Sequence, residues 1–480
     1  MSNDPCLASA VELAKTIRAG ERSPVDVVEA HLERIEKRDG AINAYVTVTA
    51  EKARAAAEEA ERVVEAGESL GPLHGVPVAV KDLEDVAGIR TTFGSLLFEN
   101  NVSERSEPFA ERLLDAGAVI VGKTNTPEFG LGCTTNNRVA GETHTPFDTS
   151  RNAGGSSGGT GAALAAGMVP IAQGSDTGGS IRTPASFCGV YGVKPTFGRV
   201  PRVSRPDAFE AHTPFSHVGP MARTVEDAAL TLDVMAGQHP DDPFSLPETG
   251  EDYLGATDRG VEALDVAYSP DLGTYPVDPE VAEVVADAVE GFEDAGAVVE
   301  EVEVDLGCEQ SDVLEAFYTF ARVRWQTLFD NLESRGFDPR GDDRERLRSV
   351  VVETILDEPE PTVGAYKRAD RTRTRIYDGL QDVFEKYDLL VSPTLAVLPF
   401  PDGEEPTEVD GVEVDPLRGW VLTQPYNMSG HPAASVPAGF VDGLPVGMQI
   451  AGRRHAEETV LAASAAFERE RPWHDAYERL

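Results

Sequence analysis

The chain has 480 residues, 41% of them hydrophobic, and carries 83 Asp and Glu against 42 Lys and Arg, a formal net charge of −41. That balance argues against direct nucleic-acid binding, which needs a basic patch; the nearest basic run, Arg368 to Arg375, reads as a helix face. No stretch approaches the roughly 18 consecutive apolar residues of a membrane span, and Cys6, Cys133, Cys188 and Cys308 lack the spacing of a zinc site.

In chain order, the first 70 residues read as helical. Ser23 caps a helix with Pro24 at its first position, and Gly40 is expected to stop it. Glu51 to Gly67 is an Ala/Glu-rich, solvated helix. Val76 to Val80 and Ala118 to Val121 are short apolar runs bounded by turn residues, the pattern of buried strands. Thr160 to Gly167 is a helix of small residues that must pack closely, and Met168 to Ala172 leads from it into a glycine cluster. Thr224 caps a helix to Met235, after which Pro240 to Gly260 reads as a loop. Asp265 to Tyr268 and Val298 to Val304 are expected strands around a helix over Glu280 to Ala295. Helical patterns dominate Gln310 to Tyr387; strands at Leu389 to Ser392 and Val446 to Ile450 and a helix from Glu457 to Glu470 complete the chain.

Two glycine-dense turns stand out. Gly154-Gly-Ser156-Ser157-Gly-Gly holds one serine pair, and Gly174-Ser-Asp-Thr-Gly-Gly-Ser180-Ile-Arg182 holds Ser180, 24 positions after Ser156. Glycine loses more freedom on folding than any other residue, so such clusters around small hydroxyls suggest backbone shaped for chemistry. Turns that follow strands in an α/β fold are where ligands bind. The Gly-Lys-Ser/Thr ending of a phosphate-binding loop is absent.

These segments, with Gly71-Pro-Leu-His-Gly-Val-Pro77, Lys123-Thr-Asn-Thr-Pro-Glu-Phe-Gly130, Cys188-Gly-Val-Tyr-Gly-Val-Lys194, Gly219-Pro-Met-Ala-Arg223, Asn427-Met-Ser-Gly-His431 and Gly443-Leu-Pro-Val-Gly-Met-Gln449, resemble the amidase signature family in their expected order. The resemblance implies an α/β fold: one domain with a large mixed central sheet, helices on both faces and a helical pocket-forming segment. It also implies hydrolysis of a small-molecule amide by a Ser–cis-Ser–Lys triad. Ser180 would be the nucleophile, and Ser156, held through a cis Gly155–Ser156 peptide, would relay its proton to Lys81. The N–H groups of Thr177, Gly178, Gly179 and Ser180 would form the oxyanion hole, and Gly130 would line the substrate site. Ser157 is the neighbouring alternative to Ser156.

Residue chemistry runs parallel to those roles. None of the nine histidines lies beside either serine motif, so a base must come from elsewhere. A lysine ending a buried strand qualifies if desolvation lowers its pKa from about 10.4. If the segment is extended, alternation turns Asp82 to the opposite face, away from Lys81. Asp176 and Arg182 flank the second turn and are expected to pair across it. Cys188 reads as core filler.

The expected organisation is helices at 1–70, the motif-bearing core at 71–235, a variable helical segment at 236–387 that walls the pocket, and a return to the sheet at 388–480. Within the variable segment, Phe317, Tyr318, Phe320, Trp325 and Phe329 read as core or as an aromatic pocket lining. No metal or cofactor is expected. Val200 to Phe209 lacks the Ser-Arg-Tyr-Gly-Leu run associated with the catalytic chain of tRNA-dependent amidotransferases, which favours a free-standing amidase over that alternative. The sequence is compatible with a homodimer.

Only 8 of the basic residues are Lys, leaving 34 Arg, and the acids are scattered through the chain. A surface this anionic repels itself, and salt near 1 M shortens the screening length to about 3 Å. The expected setting is a salt-rich cytoplasm. Met-Ser-Asn-Asp, with neither a basic start nor an apolar run, predicts no leader peptide.

Overall fold

The computed structural model describes residues 4–209 and 216–480. Residues 1–3, which open the segment read above for a leader, lie outside them. Eleven strands form one mixed sheet among the described residues. In chain order they are β1 (Tyr45–Val48), β2 (Pro77–Lys81), β3 (Val119–Thr124), β4 (Ile171–Asp176), β5 (Tyr191–Lys194) and β6 (His217–Ala222), then β7 (Asp265–Tyr268), β8 (Val298–Glu301), β9 (Leu389–Pro393), β10 (Ala433–Val441) and β11 (Leu444–Gly452). Their order across the sheet is β1-β3-β2-β4-β6-β5-β10-β11-β9-β7-β8, with helices on both faces.

The strand β2 lies between β3 and β4 and runs parallel to both, with Val78 beside Ile171 and Val80 beside Gln173. All five of its residues are buried. A strand covered on both faces reads as a continuous apolar run rather than an alternating one, which is why Val76 to Val80 is conspicuous in the sequence. Because β2 and β4 are parallel neighbours, Lys81 and Asp176 close their strands at the same edge of the sheet.

Caps behave as their chemistry dictates. Ser23 accepts from the N–H groups of Val25 and Asp26, and Thr224 Oγ1 accepts from Asp227 N at 3.1 Å. The helix begun at Pro24 passes through Gly40, however, and ends at Ile42, where Asn43 takes a left-handed φ of 57°. A glycine lowers helix propensity without forbidding it, and here the next residue able to adopt that conformation makes the stop. The first 70 residues are also not wholly helical, since Tyr45–Val48 pairs with β3. A four-residue helix, Tyr253–Ala256, interrupts the loop expected over Pro240 to Gly260.

A main apolar core lies along the sheet. A second core joins the helices Gln310–Ser334 and Val363–Phe384 to β7, β9 and the segment around Trp420. A small third cluster places Phe98 and Leu131 against Phe329 and Leu332. The aromatic group on Gln310–Ser334 therefore divides its labour: Phe320 and Phe329 are core, Phe317 belongs to the core and also borders the cavity, and the partly buried Trp325 borders it too.

Candidate active site

Lys81 emerges from the end of β2 into a setting with no exposure to solvent. Its Nζ donates to Ser156 Oγ at 2.7 Å and to Ser175 Oγ at 3.2 Å. Asp82 faces away: its Oδ2 accepts from the Thr92 N–H at 3.0 Å and from the Thr92 hydroxyl, and its Oδ1 lies 3.6 Å from Lys123 Nζ. The adjacent carboxylate is thus engaged by a different lysine. Burial brings the Lys81 amine down to about 7, with the carboxylates of Glu84 and Asp176 pulling weakly the other way. At that value a large part of the population is an uncharged amine near neutral pH.

The Gly155–Ser156 peptide is cis. Ser156 and Ser180 both line a cavity of about 330 Å³, together with Ser175, Thr177 and Gly130. A Cβ on Gly130 would stand 2.8 Å from Leu83 Cδ1 and 3.5 Å from Ser156 Oγ, so glycine lets the loop close over that hydroxyl. No hydrogen bond joins Ser180 Oγ to Ser156 Oγ among the described residues. Ser157 points elsewhere, its Oγ donating to Ser175 O at 3.3 Å as the helix Gly158–Ala165 begins.

The turn after β4 is held by Asp176. Its carboxylate accepts from the N–H groups of Gly179 (2.6 Å) and Ile181 (3.2 Å) and from Arg182 Nε (3.1 Å) and Nη2 (3.2 Å). Asn427 Nδ2 donates to it at 2.8 Å, and Arg182 Nη1 reaches Gln449 Oε1 at 3.2 Å. Burial opposes its charge, but Arg182, helped by Asn427 and Lys194, outweighs burial and holds the carboxyl well below the usual carboxylate range. One expectation changes here. The Gly179 N–H, expected as an oxyanion donor, is taken by Asp176, because an acidic side chain at the start of a tight turn caps the N–H that the turn exposes. The donors left for the cavity are those of Thr177, Gly178 and Ser180. Gly179 has a φ of 119°, and a Cβ there would lie 2.1 Å from Thr423 Oγ1, so no other residue fits.

Asp176→Ala is expected to lower stability by about 3–5 kcal/mol, as removing one member of a buried pair does. It is read as a fall in the urea midpoint accompanied by loss of turnover.

Asn427, Gln449 and Ser175 had no role assigned from sequence. Gln449 offered the one available signal, a lone amide inside a strand that is otherwise glycine, proline or apolar, because a buried polar group needs a partner. Cys188 is fully buried, with its thiol pushed far up by burial, and belongs to the main core. Among the described residues no cluster of His, Cys, Asp and Glu is arranged to hold a metal, and no helix is long and apolar enough to cross a membrane.

The model of a family described as Amidase matches residues 26–461. The chain is 40% identical over 471 residues to an acylamidase of Rhodococcus erythropolis, covering 97% of this chain and 96% of that protein. It is 37% identical over 492 residues to one chain of the glutamyl-tRNA(Gln) amidotransferase of Carboxydothermus hydrogenoformans, covering 98% and 99%. A solved structure of a bacterial aryl acylamidase, described as one of the amidase signature enzymes, superposes with a TM-score of 0.94 at 36% identity and 98% coverage of both chains.

Proposed function

The chain belongs to the amidase signature family, whose members hydrolyse amides, and from that premise we propose that it is a free-standing amidase working through Lys81, Ser156 and Ser180. The observation that carries this reading is the 2.7 Å link from a buried Lys81 amine to Ser156 Oγ, with Ser180 lining the same cavity. In acylation Ser180 Oγ attacks the amide carbonyl carbon while its proton passes to Ser156 Oγ, whose own proton passes to Lys81 Nζ. The N–H groups of Thr177, Gly178 and Ser180 receive the oxyanion; one such donor contributes about 3–4 kcal/mol to lowering a barrier. Collapse breaks the C–N bond, and the departing nitrogen takes back the proton through Ser156. Water then attacks the ester on Ser180, and the carboxylic acid leaves with the nucleophile restored.

The amidotransferase relative supplies the second reading, ammonia production from glutamine within a larger assembly. A panel of aliphatic, aromatic and glutamine amides separates the two. The isolated chain is expected to release amine or ammonia from simple amides. Glutamine turnover seen only alongside partner chains, with no simple amide cleaved, overturns the free-standing reading.

The charge points to the working medium. Acidic side chains spread over the surface, at a net charge of −41, suit concentrated salt. Raising KCl from about 0.1 M to about 2 M is expected to raise the melting temperature by several degrees as acid–acid repulsion is screened. A melting temperature that falls with salt would count against it.

A further inference from the structure

The cavity wall is charged in the opposite sense to the rest of the molecule. In a chain with 83 acidic residues, none of the described residues lining the cavity is Asp or Glu, while five are arginine: Arg202, Arg205, Arg324, Arg335 and Arg418. Three have hydrogen-bond or ion-pair partners, and a fourth rests on an aromatic ring at the exposed surface. Arg202 is bonded to Ser216 Oγ, Arg205 lies 3.2 Å from Asp241, Arg324 donates to Thr177 Oγ1 at 3.2 Å, and Arg335 sits over the Phe98 ring.

Arg418 differs. It is 5% exposed, and its buried Nη1 has no hydrogen-bond partner. No ion pair or hydrogen bond engages its guanidinium among the described residues; its planar group rests 4.6 Å from the centre of the Phe317 ring. The nearby carboxylate, Asp415, accepts at its Oδ1 from the Tyr318 hydroxyl at 2.8 Å and from the N–H groups of Leu417 and Arg418, and no ion pair joins it to the Arg418 guanidinium among the described residues. A buried cation without a partner is costly, and such a group calls for an explanation.

Its position supplies one. A Cβ added to Gly178 would stand 3.1 Å from Arg418 Nη1, so the guanidinium abuts the turn that ends at Ser180. Gly178 and Ser180 are two residues apart, a span of about 7 Å at most. Arg418 and Phe317 form the enclosed end of the cavity, whereas Arg335 and Arg205 are exposed at its mouth. In the acyl-enzyme mechanism proposed above the amine leaves first and the acyl group stays on Ser180, at the end of the turn that Arg418 abuts.

We propose that Arg418 anchors a carboxylate on the acyl portion of the substrate, so that the enzyme selects monoamides of short dicarboxylic acids. A planar guanidinium matches a carboxylate through two parallel N–H···O bonds. The remaining arginines draw an anion towards an opening in an otherwise repulsive surface. This assignment rests on the amide-hydrolase reading above and goes beyond it to the class of substrate.

The test compares succinic acid monoanilide with 4-methylpentananilide, its uncharged isostere, and separates binding from turnover. Binding is measured by calorimetry on Ser180→Ala protein at one fixed salt concentration, and turnover as aniline release by the wild type. The charged anilide is expected to bind at least about tenfold more tightly. Arg418→Gln, combined with Ser180→Ala, is expected to weaken the charged anilide by about 10- to 100-fold and so to erase the preference, with Arg418→Lys restoring part of it. Equal binding of the two anilides to the Ser180→Ala protein overturns the proposal without recourse to any Arg418 variant. So does an Arg418→Gln effect that falls equally on both, the mark of a structural or oxyanion role. Selective binding of the charged anilide with no aniline released by the wild type would leave the anchor standing and sink the hydrolase reading instead.

Discussion

Ser180→Ala is expected to remove amide turnover, lowering kcat by roughly 10⁴- to 10⁶-fold, the range seen when a serine nucleophile is deleted, while the fold survives. The two halves of this expectation have separate physical causes. Turnover is lost because no other hydroxyl in the cavity combines a position on the donor-rich turn with access to the Lys81–Ser156 link. Stability survives because the turn does not depend on Ser180 Oγ, which accepts and donates no hydrogen bond among the described residues. The conformation is held instead by Asp176 through Gly179, Ile181 and Arg182. Steady-state release of amine and a thermal melt check both halves. Retention of activity near the wild-type level would remove Ser180 from the mechanism. Ser157→Ala is the matched control, expected to cost far less because that hydroxyl bonds a backbone carbonyl and begins a helix.

Lys81→Met should cut kcat by about 10³-fold or more, since general-base catalysis contributes typically 10²–10⁴-fold and the proposed relay ends on this amine. Unlike most core substitutions, it is expected to raise the melting temperature at mildly acidic pH. The sign follows from burial. The folded amine titrates near 7, against 10.5 unperturbed. Between those values the unfolded chain binds a proton that the folded chain does not, so stability climbs with pH across that window. Below about 7 both states carry the charge, and the folded protein bears the full cost of burying it. Methionine has similar length and no charge, so its advantage should be largest near pH 6 and shrink towards pH 9. For the wild type, kcat/KM should rise with pH through about 7 as the amine loses its proton. A pH profile flat across that region, or Lys81→Met protein that is active, would place the base elsewhere.

Legibility in the sequence followed the range of the interaction. Helix starts at Pro24 and Val225 were visible because a cap and its partner lie within three residues. The strand β10, nine residues long, was not visible. Its sequence, Ala-Ala-Ser-Val-Pro-Ala-Gly-Phe-Val, mixes small residues with proline and glycine, and its pairing to β5 joins Ala433 to Lys194. The strand β6 hides its character in the same way, carrying Gly219 and Pro220 in mid-run. In the cavity, Ser156 and Ser180 announced themselves through local glycine density, and Lys81 through the apolar strand before it. Asn427 and Arg418 gave no such sign, since each acquires its meaning only by meeting the Asp176–Ser180 turn from more than 200 positions away. A local cap also changed one reading, because the N–H of Gly179 serves the carboxylate three residues before it rather than the cavity.

Lys81 and Asp176 are carried at the ends of two paired parallel strands, whereas Phe317 and Trp325 sit on a single long helix outside that sheet. The residues proposed for proton transfer and the aromatic part of the cavity wall are accordingly carried by different parts of the architecture. Substitutions along that helix can reshape which molecules are admitted while the residues proposed to handle the proton stay seated at the ends of buried strands. An engineer seeking altered substrate range has a short, well-defined stretch to diversify and a clear boundary not to cross.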